Sequence, residues 1–282
     1  MNNLFDVKDT ISKRVSVRNY TSQSINEETI INIKNFIQNL SNPFNVKVKY
    51  HFLNFNDTQQ PQKLGTYGVI KGASQYIGAS IKLEPYSLEA LGYEMEVLIL
   101  YLAHLGLGTC WLGGTFDRKG FSKVMNIESD EMFPAITPIG YAQPTRHVTE
   151  IAMRKIINAD KRKPWDQLFF LNDFNTSLRQ NTANDYAFAL EMIRLGPSAS
   201  NKQPWRIVIE NNNFHFFEYK EPGYSQVFPY DIQRIDIGIA AAHFDLAMKE
   251  VGINGQFSFD LNPFSELPLN MYYAFTWVRE SI

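Results

Sequence analysis

The chain has 282 residues, with 27 Lys and Arg against 29 Asp and Glu, a formal net charge of −2 and 44% hydrophobic residues. A near-neutral chain has no global field to gather nucleic acid or anionic lipid, so neither is expected as a partner. At roughly 150 residues per domain the length allows about two units, and the single cysteine, Cys110, excludes an internal disulfide and any metal or redox site built on several cysteines.

The opening stretch, Met1 to Lys13, carries Asp6 and Asp9 and lacks the basic start, apolar core and small-residue cleavage site of a signal peptide. Export is not expected, and a cytoplasmic location fits. Ser24-Ile25-Asn26-Glu27 has capping-box spacing, and Ile30, Ile31, Ile33 and Phe36 follow at helical intervals until Asn42-Pro43 stops the run. This predicts an amphipathic helix. Val46 to Leu53 then alternates apolar and polar residues, as a strand with one buried face does. A long apolar helix follows from about Ser87 to Leu105, closed at Gly106-Leu107-Gly108, where glycine can take the left-handed conformation that ends a helix. Its apolar run, Val97 to Leu102, is flanked by Glu94, Glu96 and His104. That is far short of the ~20 residues a bilayer span needs, so no membrane crossing is expected.

The same order returns in the second half, with a helix over Tyr186 to Leu195, a break at Gly196-Pro197, a strand over Arg206 to Glu210 and an apolar helix from Ile235 to Val251. Gly92 and Gly106 match Gly238 and Gly252 at a constant offset of 146 positions. The sequence therefore reads as a duplication, with repeats over 1–160 and 161–282. Between them Ala159-Asp160-Lys161-Arg162-Lys163-Pro164 reads as a charged surface crossing.

Three segments are candidates for chemistry. In Lys13-Arg14-Val15-Ser16-Val17-Arg18-Asn19-Tyr20 alternate residues of an extended chain share a face. Arg14, Ser16 and Arg18 would then present two guanidinium forks and a hydroxyl to an anion such as phosphate. The plainer reading is a half-buried strand with a solvated basic face. Gly196-Pro197-Ser198-Ala199-Ser200-Asn201-Lys202-Gln203-Pro204-Trp205 is a run of small and turn-forming residues whose backbone could approach a flat ligand, with Asn201 offering a donor and an acceptor; otherwise it is a helix stop. Gly106-Leu107-Gly108-Thr109-Cys110-Trp111-Leu112-Gly113-Gly114 suggests a backbone lying against something flat, or else a helix cap and a tight turn. It lacks the Gly-Lys-Ser/Thr ending of a P-loop.

No HExxH or Cys-His spacing is present, so no metal is expected, and His51, His215, His104 and His243 read as residues of strands and buried helices. There is no GxSxG elbow, and Cys110 reads as a small loop residue.

Taken together, the three segments resemble the nitroreductase family of FMN-dependent oxidoreductases. The resemblance implies an α+β fold in which two repeats form an intramolecular, intertwined pseudo-dimer. The first half keeps the arginine segment and the glycine loop but has only Ser41-Asn42-Pro43-Phe44-Asn45 at its helix-to-strand junction. The second keeps Pro197 to Trp205 but opens with Asn172-Asp173-Phe174-Asn175-Thr176-Ser177 and follows its long helix with Gly252-Ile253-Asn254-Gly255-Gln256-Phe257. Each half lacks what the other retains, which implies one FMN per chain, resembling the single-chain, tandem-repeat branch.

By the same resemblance Arg14, Ser16 and Arg18 would share the FMN phosphate and the pyrimidine edge, with their division open. Pro197, Ser198, Ala199, Ser200 and Asn201 would pack beside the ring. Trp111, Leu112, Gly113 and Gly114 would cover it, with a backbone amide near Gly113 or Gly114 donating to flavin N5. Arg162 and Lys163 fall near where relatives place another phosphate ligand, or belong to a solvated linker. The flavin would carry the chemistry without a catalytic side chain, taking hydride from NADH or NADPH and passing it to a nitroaromatic, a quinone or a related small acceptor by ping-pong kinetics. The alternative is a flavin-binding storage or sensing protein without turnover. With the dimer interface internal, a monomer is expected.

Overall fold

The computed structural model describes residues 5–55, 64–145 and 147–280, so Met1 to Leu4 of the opening stretch lie outside the described residues. In chain order the elements are α1 (Val7–Lys13), α2 (Glu27–Gln38), β1 (Val48–Asn54), β2 (Gln75–Ile81), α3 (Ser87–His104), β3 (Gly108–Thr109), α4 (Arg118–Val124), β4 (Met132–Gly140) and α5 (Val148–Ile156). They continue with β5 (Phe169–Leu171), α6 (Ala187–Leu195), β6 (Trp205–Glu210), β7 (Asn213–Tyr219), α7 (Gln233–Glu250), β8 (Gly255–Ser258) and β9 (Met271–Arg279). The fold is α+β.

By packing, the chain forms two compact units. The amino-terminal unit is Lys13–Ser87 with Glu94–Ala159; the carboxy-terminal unit comprises Met1–Ser12, Leu88–Tyr93 and Asp160–Ile282, as far as these are described. The cut does not fall at one point in the sequence, because α3 gives Leu88–Tyr93 to one unit and its remainder to the other.

The amino-terminal unit is built on an antiparallel sheet of order β1-β2-β4-β3. Neighbouring residues of β2 point to opposite faces, Tyr76 into a cluster with Phe116, Phe121 and Phe133, and Ile77 into one with Ile33 of α2 and Leu98 and Leu102 of α3. With both faces covered, β2 and β4 are almost wholly buried, so neither shows an apolar-polar alternation. The sequence pattern marks β1 but gives no sign of a strand at β2 or β4. The capping-box spacing points to Ser24 as the helix cap, whereas α2 starts at Glu27 and the cap is Asn26, whose Oδ1 accepts the Thr29 N–H at 2.7 Å.

The carboxy-terminal unit has a five-stranded sheet of order β5-β6-β7-β9-β8, in which β5 alone runs parallel to its neighbour. Its core is aromatic, with Trp205, Phe214, Phe216, Phe217, Phe244, Phe275 and Trp277 buried. Leaving out β5, the order β6-β7-β9-β8 reproduces β1-β2-β4-β3, with an 18-residue helix at the same place in each series. The helix ends match too. Gly106 (φ +77°) and Gly252 (φ +74°) are left-handed, and Leu107 N–H and Ile253 N–H each return 2.9 Å bonds to Leu102 and Met248 O.

The glycines that mark the duplication meet within the carboxy-terminal unit. A Cβ on Gly92 would stand 2.1 Å from Ile235 O, and one on Gly238 would stand 2.0 Å from Glu89 O. Glu89 and Ile235 are themselves equivalent positions at the 146-residue offset. The contact is reciprocal, as a local two-fold between copies of one helix requires. His243, buried in α7, bonds Met192 O at 2.8 Å, and His215 and His51 bond Thr276 and Ser80 at 2.7 Å. His104, expected within a buried helix, is exposed because it sits in the last turn of α3.

Because either added methyl meets a backbone carbonyl, Gly92→Ala and Gly238→Ala are each expected to cost about 1–3 kcal/mol of stability. The double variant should cost less than the sum, since one forced separation relieves both clashes, and urea-unfolding midpoints of the three variants check this.

Candidate functional site

The arginine segment is extended because β-branched Val15 and Val17 favour that conformation and because it lies alongside β3. Ser16 forms a parallel bridge with Thr109, and Val17 N–H donates to Thr109 O at 2.8 Å. Gly108 permits this approach, since a Cβ there would come within 2.8 Å of the Val17 side chain. The plainer alternative, a solvated basic face, does not hold. The Arg14 side chain and Arg18 are each 7% exposed, whereas Val15 is 43% exposed. Among the described residues, Nε of Arg14 and Nε and Nη1 of Arg18 are buried without a hydrogen-bond acceptor.

Beside Arg14 lies Glu96, a fully buried carboxylate of α3 that in the sequence only interrupts an apolar run. Its Oε1 stands 3.9 Å from Arg14 Nε, and its Oε2 accepts the Trp111 indole N–H at 2.7 Å. Cys110 is buried beside them. Burial pushes its thiol pKa up, against the opposing pull of Arg18, Arg14 and a hydrogen bond with Ser16. Asn19, at the end of the segment, donates to the buried Glu150 at 2.5 Å, a second carboxylate the sequence did not single out.

The glycines of the following loop divide by role. Gly106 closes α3 and Gly108 underlies Val17, leaving Gly113 and the exposed Gly114 as loop backbone. Leu112 is 1% exposed in the core, and its backbone N–H and C=O exchange 3.0 Å bonds with Ile136, so its side chain and its backbone are both engaged within the unit. Gly113 O accepts from Arg118 Nη2, while Arg118 Nε donates to Phe133 O at 2.9 Å, which anchors the loop to β4.

The loop over Pro197 to Trp205 belongs to the carboxy-terminal unit and is internally braced. Ser200, Asn201 and Gln203 have φ values of 48°, 56° and 47°. Such left-handed residues persist only where surrounding bonds hold them. Those bonds are present. Ala199 N–H donates to Asp236 at 2.9 Å, Gln203 N–H to Ser198 Oγ at 2.8 Å, and Tyr224 Oη to Ser200 Oγ at 2.9 Å. Trp205, fully buried at the start of β6, ends the loop. Burial raises the Asp236 pKa well above the usual carboxylate range despite the Ala199 bond.

The charged stretch at 161–163 is part of the same brace and not a free linker. Asn201 Nδ2 donates to Lys161 O at 2.9 Å, and Asn201 Oδ1 accepts from Gln203 Nε2 at 3.1 Å and from Arg162 Nη1 at 3.4 Å. The Asn201 amide, expected as an open donor and acceptor, is thus engaged within the loop. Lys163 N–H donates to Gln203 Oε1 at 2.7 Å. Burial, reinforced by the neighbouring Arg206 guanidinium, lowers the Lys163 pKa from 10.5 to about 8. Among the described residues no group of three or more His, Cys, Asp or Glu could hold a metal ion, and no helix is long and apolar enough to cross a membrane.

The family model described as "Putative TM nitroreductase" matches residues 6–248. The crystal structure of a putative nitroreductase from Thermotoga maritima MSB8 is similar at 20% identity, covering 99% of this chain and 95% of that one, with a TM-score of 0.59. At that identity the likeness speaks for the fold. A nitroreductase with bound FMN from Bacteroides fragilis NCTC 9343 matches 51% of this chain and 92% of its own at 15% identity and a TM-score of 0.41. One with bound FMN from Desulfitobacterium hafniense DCB-2 matches 51% and 95% at 18% identity and 0.39. No curated protein matches.

The Lys163 amine supplies a pH test of the braced loop. Below pH 8 it is charged in both the folded and the unfolded chain, so the folded state carries the whole cost of burying that charge. As pH rises from about 8 towards 10.5 the folded amine releases its proton first and the cost fades. Lys163→Met is therefore expected to stabilise the chain at pH 7 and to lose that advantage towards pH 10.5, as read from urea midpoints across this range.

Proposed function

The chain belongs to the nitroreductase family, and from that membership we propose that it is an FMN-dependent oxidoreductase. On this reading it takes hydride from NADH or NADPH and passes it to a nitroaromatic, a quinone or a related small acceptor in a ping-pong cycle. The observation that carries the reading is the buried, unmatched guanidinium donors of Arg14 and Arg18. Leaving such groups without an acceptor costs about 1–3 kcal/mol each. A phosphate or the carbonyl edge of a flavin ring is the kind of acceptor that a planar fork of N–H groups suits.

When bound, FMN supplies the hydride chemistry, for which the protein then needs to provide position and electrostatics. Arg14, Ser16 and Arg18 would hold the phosphate and the pyrimidine edge, and a guanidinium at that edge would stabilise negative charge developing there. Trp111 would offer its ring and Gly113 and Gly114 their backbone, with an N–H near Gly113 or Gly114 orienting N5, while Leu112, bonded to Ile136 through its own backbone, would hold the loop in place. Pro197, Ser198, Ala199, Ser200 and Asn201, with Arg162 and Lys163, form a second proposed ligand set. Because the Asn201 amide is engaged, this loop would act through its fixed backbone. We propose one FMN per chain and no side chain acting as acid or base.

The visible spectrum of the purified or reconstituted protein, before and after anaerobic NADH and NADPH, tests this. One FMN per chain that bleaches is expected, with acceptor-dependent turnover. Arg18→Ala is expected to weaken FMN binding by about 10- to 100-fold, from the typical 1.5–3 kcal/mol of a charge-assisted hydrogen bond. A wild-type protein that takes up no FMN overturns the flavin reading, and bound FMN that stays oxidised overturns the reductase.

A further inference from the structure

A carboxylate is an expensive group to place in the middle of an apolar helix, and Glu96 is fully buried there. Sequence patterning gives no reason for it, since α3 needs only apolar residues to cover the sheet. Two of its partners come from separate stretches of chain, Arg14 through Oε1 and Trp111 through Oε2. Both are among the residues proposed above to meet the flavin. The two oxygens of one group thereby connect the arginine segment to the glycine loop within a single unit.

We propose that Glu96 is a positioning residue of the site, fixing the Trp111 indole and setting the net charge presented by Arg14 and Arg18. The first part follows from geometry. Trp111 is half-buried on a loop, and its indole N–H has a 2.7 Å acceptor that holds the ring plane. The second follows from charge. Glu96 offsets one of two neighbouring guanidinium charges, so the pair presents about one net positive charge to a ligand rather than two. Its role toward flavin rests on the FMN reading, whereas its hold on Trp111 does not.

The test uses the full-length protein with Glu96→Gln, which keeps an acceptor for the indole and removes the charge, and Glu96→Ala, which removes both. Trp111→Phe identifies the Trp111 contribution among the chain's 4 tryptophans. In FMN-free protein the near-ultraviolet dichroism assigned to Trp111 should persist in Glu96→Gln and be lost in Glu96→Ala. In FMN-loaded, folded Glu96→Gln the two-electron midpoint potential should rise, because a buried negative charge beside the site is gone; a purely structural role would leave the potential in place. A Trp111 signal that survives in Glu96→Ala, or a wild-type potential in Glu96→Gln, overturns the proposal. If wild-type protein binds no FMN, the flavin reading fails separately and the Trp111 signal still decides the positioning. If Glu96→Ala does not fold, loss of the Trp111 signal in folded Glu96→Leu supports the hold on the indole, and its survival overturns it.

Discussion

The close crossing of Leu88–Tyr93 with α7 is the constraint from which much of the architecture follows. Two helix backbones approach until the Cα of a glycine on each fills the space a side chain would need, and the contact is the same read from either helix. A reciprocal approach of this kind demands small residues at equivalent positions. That explains why Gly92 and Gly238 stand in register while little else between the halves is identical. It also accounts for the way α3 is divided, since its first turns are drawn to α7 and its later turns, from Glu94 on, supply Leu98 and Leu102 to the core of the amino-terminal unit.

The polar groups of the amino-terminal unit are arranged on the opposite logic from its strands. An ordinary half-buried strand turns its apolar residues inward. Here the segment from Arg14 to Arg18 buries both guanidinium groups while leaving Val15 exposed. The inversion is tolerable because Glu96 offsets part of the buried charge, and because Val17, on the side of the segment that meets Gly108, remains packed against the core. Buried donors left over after that compensation are costly in isolation.

Strain is distributed differently in the loop before β6. Three non-glycine residues in left-handed conformations would be unstable alone, yet side-chain bonds from Asp236, Ser198 and Tyr224 and the backbone bonds to residues 161–163 over-determine them. The loop is rigid by construction and not by composition. Its small residues permitted the shape, while its polar residues, read in isolation as ligand contacts, are in large part the brace itself.

What the sequence determined by itself was local or periodic. The helices α2, α3, α6 and α7, the strand β1, most of β6, the glycine closures and the 146-residue repeat all follow from spacing along the chain, because helix amphipathicity and left-handed caps depend on near neighbours. The candidate segments were legible as unusual runs, and together they carried the resemblance to the nitroreductase family. Strands buried on both faces, such as β2 and β4, lack the alternation that would reveal them. The inward turn of Arg14 and Arg18, the engagement of Asn201, the part taken by residues 161–163 and the role of Glu96 were decided only by tertiary structure. Each depends on a partner distant in sequence, and the balance between exposing a charge and burying it against another is settled only when both charges have been brought to the same place.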